Sequence, residues 1–161
     1  MAETTGHGAQ VTAQVTAQIT AQVTELENDL GDLDRMAAAI EAFCEAHDVP
    51  SRDAAQLCLV IEEIFTNIVT HGHDEPGGRI VEMRMASAPS AVHVEIVDDG
   101  RPFNPLDAPP PDLDSGVEER PIGGLGVHFL RTMMSDIVYE RSQGRNHLRF
   151  QKTYTARSKG A

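Results

Sequence analysis

The chain has 161 residues, 40% of them apolar, enough to enclose one core in one compact domain; aromatics are only 4% and Trp is absent, so Val, Ile, Leu, Met and Ala must fill that core. A formal charge of −12 argues against non-specific binding to DNA, RNA or an anionic membrane, all of which repel an acidic surface. No basic stretch followed by an apolar run opens the chain, and no run of about 18 apolar residues interrupts it, so a soluble cytoplasmic protein is expected.

Residues 1–8 are small and polar and read as a flexible tail. Residues 9–24 repeat a tetrapeptide, AQVT-AQVT-AQIT-AQVT, in which Ala, Val and Ile alternate with Gln and Thr. That is the period of a strand with one buried face. The repeat exceeds a mean strand, so its C-terminal half is expected to pair in a sheet. The competing reading is a self-associating β segment, since its windows lack charge and Pro. Residues 30–47 place Leu33, Met36, Ala37, Ile40 and Cys44 on one helical stripe. Val49-Pro50-Ser51 breaks the chain, and Ser51 or Asp53 is expected to cap a second helix over residues 52–70.

Residues 71–78 form a turn rich in Gly and charge, and 79–86 and 91–97 read as a strand pair linked by 87–90. Residues 99–122 hold six prolines and six acidic residues without periodicity, the composition of a lid. A third helix is expected over 124–135, then a closing hairpin of 137–141 and 148–154 turning at 142–146, and a polar tail over 156–161. The order β-α-α-β-β-lid-α-β-β, with short turns between neighbouring strands, implies an α+β two-layer sandwich with helices on one face. Residues 9–155 are expected to form a single domain. Cys44 and Cys58 fall in the helical segments without CxxC or metal-ligand spacing and read as packed, reduced thiols. Arg residues crowd the last third of the chain (Arg120, Arg131, Arg141, Arg145, Arg149, Arg157) and leave room for a local basic patch.

Three short segments carry chemistry. On the second helix, Glu63, Asn67 and His71 recur at four-residue steps and so share one face of an otherwise apolar helix. A carboxylate there can orient or deprotonate a nucleophile, and an amide oxygen one turn later can ligate Mg²⁺, which prefers oxygen donors. A partly exposed polar face would show the same stripe. The second segment, Asp98-Asp99-Gly100-Arg101-Pro102-Phe103, follows a β run directly. Its Asp can accept a hydrogen bond from an exocyclic amino group and its Gly permits close backbone approach, although Asp-Gly turns are common. The third, Gly123-Gly124-Leu125-Gly126, stands where the lid meets a helix. Small residues at a helix start expose N–H groups to phosphate, and they also make a hinge. No GxxxxGK[ST] is present, so a P-loop is excluded, and the missing third glycine of GxGxxG speaks against a dinucleotide fold.

In order and spacing these segments resemble the N, G1 and G2 boxes of the GHKL (histidine-kinase-like) ATPase superfamily, and within it the anti-sigma-factor serine/threonine kinases of the RsbW and SpoIIAB type. The resemblance runs from about residue 20 to 154 and implies the Bergerat ATP-binding fold, with a mostly antiparallel mixed sheet. It implies Glu63 as the catalytic base and Asn67 as the Mg²⁺ ligand. Asp98 would read the adenine amino group with Gly100 beside the base, and Gly124, Leu125 and Gly126 would close on the phosphates of ATP. His71 matches a family histidine without an assigned chemical role. Two positions depart from the pattern. Pro102 stands where the wider superfamily often has Gly, and Asn146 stands where many members place a hydroxyl residue near the adenine Asp, a contact Asn146 can replace.

The resemblance further implies an enzyme that transfers the γ-phosphoryl group of Mg·ATP to a STAS-type anti-anti-sigma factor and sequesters a sigma factor or another regulator, usually as a homodimer. The alternative is a nucleotide-gated adaptor of the same fold without phosphoryl transfer. A detached histidine-kinase ATP domain is a further rival, against which stands the lack of a helical segment with a phospho-accepting His. Gyrase-like and chaperone ATPases are disfavoured by length.

Overall fold

A computed structural model describes residues 21–75, 77–110, 114 and 124–156. The tail expected over 1–8, the AQVT repeat up to Thr20, most of the lid stretch beyond residue 110 and the chain after residue 156 lie outside the described residues. The elements are β1 (Gln22–Glu27), α1 (Leu33–Ala46), α2 (Ser51–His71), β2 (Ile80–Ala88), β3 (Ala91–Asp98), α3 (Gly124–Met133), β4 (Ser135–Ser142) and β5 (Arg145–Thr153). Two 3-10 turns, Leu30–Asp32 and Pro105–Asp107, precede α1 and follow β3.

The five strands form one sheet in the order β1-β2-β3-β5-β4. Every described pairing is antiparallel, so the sheet is more regular than the mixed sheet implied by the resemblance. Alternation sorts its two faces. Val81, Met83 and Met85 of β2, Val92, Val94 and Ile96 of β3, and Leu148 and Phe150 of β5 are buried beneath the helices. Met36, Ile40, Phe43 and Cys44 of α1 and Leu57, Val60, Ile61, Ile64 and Phe65 of α2 complete this core.

The other face is a charge ladder. Arg84 bridges Glu82 at 2.6 Å and Glu95 at 2.9 Å, Arg145 meets Glu82 at 2.7 Å, and Arg149 meets Glu95 at 2.9 Å. The two-layer α+β reading holds. No helix among the described residues is long and apolar enough to cross a membrane.

Local boundaries differ for identifiable reasons. β1 begins at the end of the AQVT repeat and runs on through Glu25-Leu26-Glu27, because Leu26 buries opposite Val81. α1 starts at Leu33 rather than residue 30, since Asp29 caps a 3-10 turn by accepting from the Gly31 N–H at 2.6 Å. Neither Ser51 nor Asp53 caps α2. Pro50 holds the N-cap position without a side-chain bond, and Asp53 pairs with Lys152 at 3.3 Å. The last hairpin turns in two residues, Gln143 and Gly144, whose φ values of 51° and 74° suit a tight hairpin turn.

Candidate functional site

Helix α2, the ends of β3 and β5, and α3 enclose one cavity of ≈ 260 Å³. Its walls are mainly apolar, from Ile64, Ile68, Ile96, Val127, Leu130 and Leu148. Polar groups stand at chosen points: Asn67 and His71 from α2, Asp98 from β3, and Tyr139 and Asn146 from the final hairpin. An apolar slot with a few placed polar groups is the usual form of a small-molecule site.

Asp98 is the last residue of β3 and only 6% exposed. Its Oδ1 accepts from the Gly100 amide N–H at 2.8 Å and from Asn146 Nδ2 at 2.9 Å. Its Oδ2 accepts no bond among the described residues. Burial pushes the Asp98 carboxyl above its ordinary value; the bonds from Asn146 and Gly100 and the nearby His73 oppose that rise, and neighbouring Asp99 adds to it. A buried carboxylate with one unused oxygen facing an apolar cavity is suited to an amino donor.

The pairing of β3 with β5 delivers Asn146 directly opposite Asp98. Asn146, also 6% exposed, has every polar atom engaged. Its Oδ1 accepts from Tyr139 Oη at 2.7 Å and Arg141 Nη1 at 2.9 Å. Its Nδ2 donates to Asp98 Oδ1 and, at 3.0 Å, to the Arg101 carbonyl. Asn146 therefore makes the contact expected of it, while Tyr139 and Arg141 are members of the site that the motifs do not announce. The two-residue turn is the signal that could have found Arg141, because it sets Arg141 opposite Asn146.

The end of α2 is stitched to the Asp98–Gly100 turn. The Arg101 N–H donates to the Gly72 carbonyl at 2.9 Å, and Arg101 Nη1 donates to the His71 carbonyl at 3.1 Å. A Cβ at Gly100 would lie 2.7 Å from Asp98 Oδ1 and 3.1 Å from Gly72 Cα, so only glycine lets these two backbones meet. Gly100 thus sits behind the carboxylate rather than in the cavity wall. His71 lines the cavity, is otherwise exposed, and lends its carbonyl to Arg101.

The other end of the site lies where α2 meets α3. Gly126 packs directly on the stripe. A Cβ there would stand 2.9 Å from Glu63 Cβ, 3.4 Å from Glu63 Oε2 and 3.5 Å from Asn67 Nδ2. Glu63 and Asn67 are therefore neighbours of the first turn of α3, whose N–H groups have no partner within the helix. Gly124 and Leu125 begin α3 outside the cavity lining, and a Cβ at Gly124 would meet nothing within 4 Å. Arg131 is not turned to the phosphate end. It ties α3 to the loop after β3, donating to the Pro105 and Leu106 carbonyls at 3.1 and 2.6 Å. Arg120 lies outside the described residues.

Asn67 carries a carboxamide oxygen one helical turn from the Glu63 carboxylate, oxygen donors of the kind a hard divalent cation takes. Among the described residues no group of three His, Cys, Asp or Glu side chains is placed to hold a metal. A bound Mg²⁺ would therefore take most of its ligands from phosphate and water. Cys44 and Cys58 are free; burial raises both thiols, Cys44 to about 11, and the neighbouring Glu62 and Glu41 add to the rise at Cys58.

This fold, with its carboxylate at a strand end and its polar helix stripe under a glycine-started helix, is that of an ATPase domain. The chain belongs to the histidine kinase-like ATPase domain family, whose model matches residues 26–152. More particularly, it is similar to the serine/threonine-protein kinase BtrW of Bordetella bronchiseptica, 28% identical over 92 residues covering 57% of this chain and 65% of that protein. It is similar to the serine-protein kinase RsbW of Bacillus mycoides, 29% identical over 57% of this chain and 59% of the relative. An anti-sigma F factor of Thermoanaerobacter sp. is 21% identical over 68% of this chain and 76% of that protein. The matches thus span under two thirds of the length of the first two relatives. The crystal structure of the RsbU and RsbW domains of Rv1364c from Mycobacterium tuberculosis shares the fold, with a TM-score of 0.59 at 14% identity over 83% of this chain and 32% of that one.

Proposed function

We propose that the cavity binds Mg·ATP and that the chain is a serine/threonine-protein kinase of the anti-sigma-factor type. The observation that carries this reading is the division of the cavity. A buried carboxylate stands at its β3 end with one oxygen unused among the described residues, and Asn67 stands at the other under the start of α3, with Glu63 beside Gly126 just outside the cavity lining. Adenine would lie between the apolar walls and donate its amino hydrogen to Asp98. The phosphates would lie toward α3, where the N–H groups of Gly124, Leu125 and Gly126 favour negative charge.

Asn67 would hold Mg²⁺, which when bound neutralises phosphate charge. Glu63 would orient the hydroxyl of a protein serine or threonine and take its proton. The hydroxyl oxygen forms a bond to the γ-phosphorus as the bond from that phosphorus to the β-phosphate oxygen breaks, and ADP leaves. Such transfer depends on positioning and charge placement more than on covalent help from the protein. The similarity to an anti-sigma F factor and to RsbW serine-protein kinases supports a protein hydroxyl as acceptor and a sigma factor as sequestered partner; in the same proposal the acceptor is a STAS-type anti-anti-sigma factor, the working unit a homodimer and its location the cytoplasm.

The test is incubation of the chain with a cognate STAS-domain protein and γ-labelled ATP. Transfer of label to the STAS protein is expected, falling at least about a hundredfold in Glu63→Ala. Full labelling by Glu63→Ala would remove Glu63 from the role. Nucleotide binding with no transfer by the wild type would reduce the chain to a nucleotide-gated adaptor.

A further inference from the structure

Among the described residues, both donors that reach Asp98 end on the same oxygen. The Gly100 N–H at 2.8 Å and Asn146 Nδ2 at 2.9 Å use the two lone-pair directions of Oδ1. The carboxylate therefore shows a ligand one free acceptor atom instead of two. Which end of the Asn146 amide faces Asp98 is itself determined. Arg141 has only donors, and it reaches Asn146 Oδ1 at 2.9 Å while also donating to the Gly100 carbonyl at 2.7 Å. Tyr139 Oη adds a second donor to the same oxygen at 2.7 Å. A flipped amide would set its NH₂ group against Arg141 and its oxygen against the Asp98 carboxylate, so the lock has one orientation.

The geometry points to Asn146, held by Arg141 and Tyr139, as the residue that selects adenine over guanine at this site by occupying Oδ1 of Asp98 and leaving Oδ2 as the single acceptor. This rests on the reading of the cavity as a purine-nucleotide site. Adenine offers one amino donor on this edge and is satisfied by Oδ2 alone. Guanine offers an adjacent N1–H and N2–H pair that a carboxylate meets with both oxygens. Here one of those donors would enter a largely apolar cavity without a partner, a penalty that a site imposes far more strongly than a missing methylene. Asn146 contacts no reacting atom in this scheme; it is a specificity-determining residue acting through Asp98.

The experiment measures ATP and GTP affinity by displacement of a fluorescent ADP from wild type, Asn146→Ala and Arg141→Met, with Asp98→Ala as reference and far-UV circular dichroism to confirm folding. Wild type is expected to prefer ATP. In Asn146→Ala the ATP-to-GTP affinity ratio is expected to fall about tenfold or more, and in Arg141→Met, which removes one of the two donors that pin Asn146 Oδ1 and leaves Tyr139, it is expected to fall by a smaller but measurable factor. A purely structural role would weaken both nucleotides in parallel and leave the ratio unchanged, and that result overturns the inference. Arg141→Met decides the matter if Asn146→Ala fails to fold. Wild-type binding of ATP with an unaltered ratio in the variants sinks the selectivity role alone. Wild-type failure to bind either nucleotide, or undiminished ATP binding by Asp98→Ala, sinks the nucleotide reading and the selectivity role with it.

Discussion

Replacing Asp98 by Asn should separate folding from recognition. Asp98 Oδ1 accepts from the Gly100 N–H and Asn146 Nδ2 at 2.8 and 2.9 Å, and an amide oxygen in the same place keeps both bonds. The change falls on the other atom, where an acceptor becomes a donor facing the cavity. Burial raises the Asp98 carboxyl above its ordinary value of 3.8, so between that value and the folded one the native chain holds more protons than the unfolded chain. Wild-type stability therefore falls as pH rises through that window, and the charged carboxylate remains unfavourable to folding at neutral pH. The substituted amide carries no such charge. The variant is expected to melt at or above the wild-type temperature at pH 7 and to lose the fall in stability just above pH ~4. Loss of a hydrogen bond to a charged acceptor removes about 1.5–3 kcal/mol of binding, so ATP affinity should drop about 10- to 150-fold. Scanning calorimetry from pH 4 to 8 and titration calorimetry with ATP measure the two effects. Unchanged ATP affinity, or a melting temperature at pH 7 more than a few degrees below wild type, would refute the reasoning.

Gly126→Ala should spare the fold and damage catalysis. A Cβ 2.9 Å from Glu63 Cβ strains the α2–α3 contact by about 1–3 kcal/mol, offset by about 1 kcal/mol of helix propensity, while displacing Glu63 relative to Asn67. Melting should shift by a few degrees at most, and phosphoryl transfer to the STAS acceptor should fall about tenfold or more. Lys152→Met should be destabilising. Lys152 is 9% exposed and binds Gln56 Oε1 at 2.5 Å, Asp53 Oδ1 at 3.3 Å and the Met133 carbonyl at 3.3 Å, so its loss strands Asp53. Urea denaturation should show a loss of about 2–4 kcal/mol, partly recovered by adding Asp53→Asn. On the outer sheet face, hydrogen bonds from Arg145 and Arg84 hold Glu82 below the usual carboxylate range. Its contribution is present above pH ~4.5 and fades as pH falls through the lowered value, so Arg145→Met should move the acid-unfolding midpoint upward, an effect that high salt diminishes.

Much of the site is legible in short stretches of sequence, because its main elements are local. Four-residue spacing places Glu63, Asn67 and His71 on one face of α2 whatever the helix packs against, and Asp98-Asp99-Gly100 after an apolar run marks a strand end. What joins them is not local. Gly126 lies against Glu63 only because α3 packs on α2, and Asn146 meets Asp98 only through the β3–β5 register. Arg141 and Tyr139 enter through the same hairpin, and their residue types alone suggest ordinary surface positions. Arg131 has the charge for phosphate but spends it on two loop carbonyls. The helix-cap expectation at Ser51 or Asp53 failed because the helix begins one residue early, behind Pro50, and because Asp53 is drawn to Lys152 from a distant strand. Tertiary contacts overrode local propensity there.

The central claim is that ATP occupies the cavity between α2, α3 and the ends of β3 and β5. Backbone NMR of the isotopically labelled chain, titrated with Mg·ATP, tests it most directly. Saturable shifts should concentrate at Asn67, His71, Gly72, Asp98, Gly100, Arg101, Gly126 and Asn146, and in Asp98→Asn should need about 10- to 150-fold more nucleotide to saturate. Absence of saturable shifts, or shifts confined to residues outside that cavity, would contradict it.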